Sequence, residues 1–197
     1  MDKKEILKQI KQEVDNLATY YVFHRIKNKK LDKNLLIAYL RQDKHQLYIY
    51  DEENSAKEIA RLQYSFDGRG VFIRDLFVEE DYQQNGIAKL LLDIAMVHGD
   101  SQGHSMLYGY ASPTAKIKGV EAGYDDLGYA NEQMILTDIY TKMGCTFNTG
   151  LNDIDDDFKF VKRWKPEAEY DFANRNIKTL VNKMNEKEEE LSRDFNK

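Results

Sequence analysis

The chain has 197 residues, 42% of them hydrophobic and 12% aromatic, with 2 prolines and 11 glycines, a composition that suits one compact domain with a modest appendage and excludes a disordered or collagen-like chain. With 32% charged residues and no apolar run near the roughly 18 residues that span a bilayer, a soluble protein is expected. The N-terminal MDKKEILKQIKQEV has no apolar signal core, and one cysteine, Cys145, forms no internal disulfide, so a cytoplasmic location and no membrane partner are expected. The net charge of -5 is uneven: residues 1–50 carry +5, residues 51–165 carry -8 and residues 166–197 carry -2. An acidic centre disfavours nucleic acid and favours cationic small molecules or basic peptides. The cluster Lys27, Lys29, Lys30 and Lys33 reads as a solvated helix end or turn.

In chain order, Ile6, Leu7, Ile10, Val14 and Leu17 form a helical stripe over residues 3–17. Ala18–Ile26 either extends that helix or forms a first strand; periodicity leaves both open. Asp32 before Leu35, Leu36, Tyr39 and Leu40 predicts an N-capped second helix. From residue 46 the period is two: Gln46–Tyr50, Ile59–Phe66 and Val71–Val78 alternate, with Asp67-Gly68-Arg69-Gly70 as a tight turn, giving three antiparallel strands. Ile87, Leu90, Leu91, Ile94 and Ala95 then form a helical face ending near Gly99. Met106–Tyr110 is a short strand, followed by a long polar loop and a helix from about Glu132 to Met143 that stops at Gly144. Cys145–Thr149 and Phe158–Trp164 read as a closing hairpin, and Tyr170–Phe195 as a long helix, charged after Asn185. Residues 1–45 are thus a helical segment packed on a core of 46–165, with 166–197 a C-terminal helix that packs or self-associates, possible homodimerisation included.

The strand that runs into a helix through Glu79–Asn85 aims successive backbone N–H groups at one spot, where the helix dipole adds positive potential. Small residues at Gly86 and Ala88 would let an anion approach closely. A glycine that merely tightens the turn is the alternative, and a lone Gly-x-Ala does not separate the two. The combination is more specific. Gln83-x-x-Gly86-x-Ala88 resembles the (Gln/Arg)-x-x-Gly-x-(Gly/Ala) signature of the GNAT superfamily of N-acetyltransferases, preceded by the similar strand Ile73–Val78. Ile139-Tyr140-Thr141-Lys142-Met143-Gly144-Cys145 resembles the hydrophobic-Tyr-x-x-x-Gly-Phe end of that family's later helix, and the likeness covers roughly residues 46–165.

The resemblance implies an α/β fold with a mixed, mostly antiparallel central sheet flanked by helices on both faces. It implies acetyl-coenzyme A as co-substrate, its pyrophosphate on the loop Gln84, Asn85, Gly86, Ile87 and Ala88, and its pantetheine arm held by backbone near Phe77 and Val78. Gln83 and Lys89 join that set, Lys89 partly replacing the Arg or Lys that relatives carry where this chain has Gln84 and Asn85. The amide of Val78 is the implied oxyanion donor. Tyr140 is the implied general acid toward the coenzyme sulfur, with a packed aromatic as its alternative. Glu79 and Asp75 are the candidate bases, each with a structural alternative. Asp138 replaces a frequent asparagine, so Asn131 or Gln133 would bond the pantetheine. Cys145 replaces a phenylalanine and reads as a small buried residue rather than a nucleophile.

Direct acetyl transfer to the primary amine of a small molecule or peptide is the implied activity. The loop Pro113–Ala130, with Tyr110, Tyr124, Asp125, Asp126 and Tyr129, borders the expected acceptor site and suits a cationic amine. A coenzyme-A-binding sensor without turnover and a nucleic-acid-associated factor are the rival readings. Asp153, Asp155 and Asp157 lack the glycine and glutamate of a calcium loop, and His98 and His104 lack a third ligand, so no metal is expected.

Overall fold

The computed structural model describes residues 21–40, 45–111, 117–118, 126–147, 159–164 and 177–185, with the backbone alone at 21–23, 40, 54–56 and 126–131. Eight strands form one sheet in the order β1-β2-β3-β4-β5-β6-β8-β7. They are β1 (Tyr21–Asn28), β2 (Lys33–Leu40), β3 (Gln46–Asp51), β4 (Asn54–Asp67), β5 (Gly70–Val78), β6 (Met106–Tyr110), β7 (Thr146–Phe147) and β8 (Lys159–Arg163). Every neighbouring pair is antiparallel except β5 and β6, which are parallel. Helix α1 (Ile87–Ser101) makes the crossover that a parallel pair requires, α2 (Asp126–Lys142) joins β6 to the last hairpin, and residues 177–185 form a third helix, α3. Among these residues no helix is long and apolar enough to cross a membrane.

The alternating segments after residue 46 fold as the strands their period predicts, because one face of each buries its apolar set: β3 alternates, with Leu47, Ile49 and Asp51 buried. The N-terminal expectation is corrected. The helix predicted from Asp32 through Leu40 is instead strand β2, antiparallel to β1 with Ile26 opposite Leu35 and His24 opposite Ile37. Asp32 lies at φ 53° in the four-residue tip of this hairpin and caps no helix. Leu35, Ile37 and Tyr39 are buried at period two, so sheet burial overrides the local capping signal. Ala18–Ile26 resolves toward a strand from Tyr21, so 21–40 is a hairpin within the sheet and not part of a helical segment. The later helix begins at Asp126, six residues before the expected Glu132. The helical stripe at 3–17, the acidic turn at 153–157 and the outer parts of the tail helix lie outside the described residues.

Val71, Ile73, Leu107, Gly109 and Phe160 share the face on which α1 and α2 pack, through Gly99 against Val71 and Tyr140 stacked on Phe160 at 4.2 Å. Ile177, Leu180, Val181 and Met184 of α3 join the same core, so among the described residues the helices lie on one face. Gly109 is needed there because a Cβ would stand 2.7 Å from the Phe160 ring and 3.1 Å from the Ile73 carbonyl oxygen. Gly109→Val should therefore destabilise the fold by roughly 2 kcal/mol or more, read as a lower urea midpoint at unchanged slope.

Candidate coenzyme site at the parting of two strands

One irregularity in β5 sets the site. Gln63 of β4 pairs with Asp75 and the next residue, Tyr64, pairs with Ile73, so Arg74 is an extra residue that bulges out of the ladder. Strict alternation would put Asp75 and Phe77 on the helix face with Ile73. The bulge shifts the phase, and Leu76 and Val78 take that face instead. Asp75 and Phe77 turn to the opposite face, where Arg61 Nε donates to Asp75 at 2.7 Å and the guanidinium lies 4.8 Å from the Phe77 ring centre.

Pairing between β5 and β6 stops at the same point. Val71, Phe72 and Ile73 pair with Leu107, Tyr108 and Gly109, and no later residue of β5 pairs with β6. The Glu79 N–H donates across β4 to Ile59 at 2.8 Å, so by strand alternation the amides of Leu76 and Val78 face away from β4 into the gap. That gap opens into a cleft of about 650 Å³, walled by Leu76 and Val78, by Ile117 and Lys118, and by Leu136, Ile139, Tyr140 and Met143 of α2.

The turn beyond β5 closes one end of the cleft. A 3-10 turn at Glu80–Tyr82 leads to Gln84 and Gly86, both left-handed at φ 65° and 79°. Gly86 caps α1 without any side-chain bond, and the first intrahelical bond is Leu90 N–H to Gly86 at 3.0 Å. The amides of Ile87, Ala88 and Lys89 thus lack helical acceptors and point out of the helix start. A Cβ at Gly86 would meet nothing within 4 Å, and Gly86, Ile87, Ala88 and Lys89 border the cleft. The glycine is required for its backbone angle, with clearance supplied by the loop's own path.

The turn is held from several sides. Asp51, 1% exposed at the end of β3, accepts from Tyr82 Oη at 2.9 Å, Lys33 Nζ at 2.8 Å and the Glu53 amide at 3.0 Å. Burial pushes the Asp51 carboxyl up, and these donors outweigh it, leaving it below the usual range. Gln83 donates from Nε2 to the Val78 carbonyl at 2.9 Å and accepts the Lys118 amide on Oε1 at 2.8 Å. It therefore braces both walls. Asn85 turns its side chain back to donate to the Gln83 carbonyl at 3.0 Å, and Asn28 Nδ2 donates to the Asn85 carbonyl at 3.1 Å.

The other expected residues are placed as follows. Tyr140 is 8% exposed on the cleft wall, and burial, with smaller pushes from Cys145 and Asp75, holds its hydroxyl far above the usual tyrosine range. Asp75 and Glu79 do not line the cleft; Glu79 is ion-paired with Lys57 at 2.8 Å. Lys89 lines the cleft with its ammonium on Asp93 at 2.5 Å, and Asp138 does so paired with Lys142 at 2.5 Å. Asn131 lies on α2, and its side chain is outside the described residues. Gln133 is buried with Nε2 on the Ala111 carbonyl. Burial pushes the Cys145 thiol up to about 11, which leaves it protonated and unreactive near neutral pH. His98 shares a 2.6 Å hydrogen bond with Tyr64 Oη in the core, and no metal-binding group occurs among the described residues. Of the expected acceptor loop, Ile117 and Lys118 are described, together with α2 from Asp126. Ile117 and Lys118 fall within the loop expected to border the acceptor site, whereas the wall residues Leu136 and Met143 and the tip residue Lys30 were not foreseen, since they come together only in three dimensions.

Asp51→Asn should remove part of the turn's anchor and cost roughly 1–3 kcal/mol at pH 7. Because the folded Asp51 carboxyl titrates below its unfolded value of about 4, its contribution is complete above that pH and is lost as pH falls through the depressed folded range. Urea midpoints at pH 7 and pH 3 should therefore differ less in Asp51→Asn than in the natural protein; equal differences contradict this role.

The model of the acetyltransferase (GNAT) family matches residues 11–113, slightly more than half of the chain. No curated protein sequence matches. Among solved structures, a GNAT family N-acetyltransferase from Escherichia coli in complex with CoA is 16% identical at a TM-score of 0.40, covering 60% of this chain and 57% of that one. The PaiA N-acetyltransferase from Thermoplasma acidophilum in complex with coenzyme A is 15% identical at a TM-score of 0.39, covering 60% of each chain. The chain thus spans less than two thirds of the length of these two structures. On the family match, with the signature Gln83-x-x-Gly86-x-Ala88 at the start of α1, the chain belongs to the acetyltransferase (GNAT) family.

Proposed function

We propose that the protein transfers the acetyl group of acetyl-coenzyme A to a primary amine. The observation that carries this reading is the pair of amide sets bordering one cleft: Ile87, Ala88 and Lys89 at the start of α1, and Leu76 and Val78 along the parted edge of β5. Donors without acceptors, an apolar wall and open space before Gly86 fit a ligand with an anionic diphosphate and an amide-bearing arm.

In this reading the helix-start amides hold the diphosphate. Leu76 and Val78 offer main-chain groups to the arm as an added strand would. Bound acetyl-coenzyme A supplies the acetyl thioester. Transfer forms a C–N bond to the amine and breaks the C–S bond, so the amine must shed a proton and the leaving sulfur must receive one. Tyr140 carries its proton at neutral pH as any tyrosine does, burial raising its pKa further, and its position on the cleft wall suits donation to the sulfur side. The Val78 amide is aimed to stabilise negative charge on the carbonyl oxygen. Asp75 and Glu79 stand outside the cleft lining, held by Arg61 and Lys57, so for either to take the amine proton a water must carry it there. The acidic centre of the sequence favours a cationic amine, either a small molecule or a peptide side chain.

Coenzyme A should bind the purified protein in isothermal titration, and acetyl-coenzyme A should be consumed with spermidine or a lysine peptide as the acceptor. Tyr140→Phe should lower kcat about a hundredfold while leaving coenzyme A affinity unchanged. A Tyr140→Phe variant with natural kcat removes the acid role. No binding heat from coenzyme A removes the whole reading, and binding without transfer to any amine leaves a sensor.

A further inference from the structure

The turn that starts α1 has no charged side chain of its own at Gln84, Asn85 or Gly86, so any cation that meets a diphosphate there must come from elsewhere in the chain. Four lysines line the cleft: Lys30, Lys89, Lys118 and Lys142. Lys89 and Lys142 are neutralised within their own helices by Asp93 and Asp138. Lys118 is fixed through its amide on Gln83, and its ammonium, like that of Lys30, has no carboxylate within ion-pair distance among the described residues. Lys30 alone comes from the β1–β2 hairpin, and among the described residues no carboxylate stands within ion-pair distance of it.

The tip that carries Lys30 is fixed against the phosphate turn. Asn28 Oδ1 accepts the amides of Lys30 and Leu31, both at 3.0 Å, which sets the tip's shape. The same side chain donates from Nδ2 to the carbonyl of Asn85, the residue immediately before the cap Gly86. One asparagine therefore shapes the lysine-bearing tip and ties it to the start of α1. The neighbouring lysines have other partners: Lys27 bonds the Asp32 carboxylate at 2.7 Å, and Lys33 bonds Asp51 and Glu53 at 2.8 and 3.0 Å. Lys29 is exposed and does not line the cleft.

We propose that Lys30 is a phosphate-binding residue for coenzyme A, supplied to the neutral turn by the β1–β2 hairpin and positioned by Asn28. This rests on the proposed acetyl-transfer reading. A side-chain cation on phosphate is a stronger contact than a neutral donor, and an exposed tip lysine can be replaced without disturbing the core.

The test is calorimetric titration of coenzyme A and of pantetheine, which has the arm but no phosphate, into the natural protein and into Lys30→Ala, Lys30→Arg and Lys29→Ala. Lys30→Ala should weaken coenzyme A about tenfold and leave pantetheine unchanged, Lys30→Arg should restore most of the loss, and Lys29→Ala should match the natural protein. Titration of 3′-dephospho-coenzyme A then assigns the phosphate: an undiminished loss in Lys30→Ala places Lys30 on the diphosphate, and a vanished loss places it on the 3′-phosphate. Coenzyme A binding by Lys30→Ala within twofold of the natural protein overturns the proposal and leaves the acetyl-transfer reading standing. Equal weakening of pantetheine also overturns it, since the residue would then act through packing. Absence of coenzyme A binding in the natural protein removes both.

Discussion

Beyond Ile73 and Gly109 the parallel strands β5 and β6 part, and the amides of Leu76 and Val78 face a cleft in place of a neighbouring strand. Both residues are half-buried, and donors there that face no strand are served by water or by a ligand. Two local features border the gap. The extra residue Arg74 changes the phase of β5, and Gly109 admits the Phe160 ring, on which Tyr140 is stacked. That stacking sets Tyr140 on the cleft wall.

The second set of donors sits where β5 runs into α1. Aligned peptide dipoles place roughly half a positive charge at a helix start, and three amides there have no helical acceptor. Such a site works only if the turn does not move. Left-handed Gln84 carries a conformational cost of order 1 kcal/mol that its surroundings must offset. Tyr82 on buried Asp51, Gln83 between the Val78 carbonyl and the Lys118 amide, and Asn28 on Asn85 supply those restraints from β3, β5 and the first hairpin. Preorganised dipoles then do work that a flexible charged loop would do less well.

Much of this was legible in the residues. Period-two segments from Gln46 to Val78 and the apolar face of Ile87–Ala95 fixed the strand-to-helix junction, and Gln83, Gly86, Ala88 and Tyr140 carried the family likeness. The first hairpin was not legible. Asp32 before an apolar run has the form of a helix cap, and only burial of Leu35, Ile37 and Tyr39 against the rest of the sheet makes that run a strand. The bulge left no sequence signal either, because Arg74 and Asp75 fit an ordinary alternating strand until β4 sets their register. The resemblance assigns backbone near Phe77 and the carboxylate of Asp75 to the site, and the register turns both side chains to the opposite face. Lys30, Ile117 and Leu136 reach it from three separate segments, a convergence that spacing along the chain does not encode.

The central claim is that main-chain amides at two neighbouring places grip one ligand. Amide-resolved NMR of the nitrogen-labelled protein during coenzyme A addition reads those groups directly. The account predicts that the largest shifts fall on Ile87, Ala88 and Lys89 together with Leu76 and Val78, saturating as one event. Shifts confined to other parts of the chain, or a helix-start set that moves while Leu76 and Val78 stay still, would contradict it.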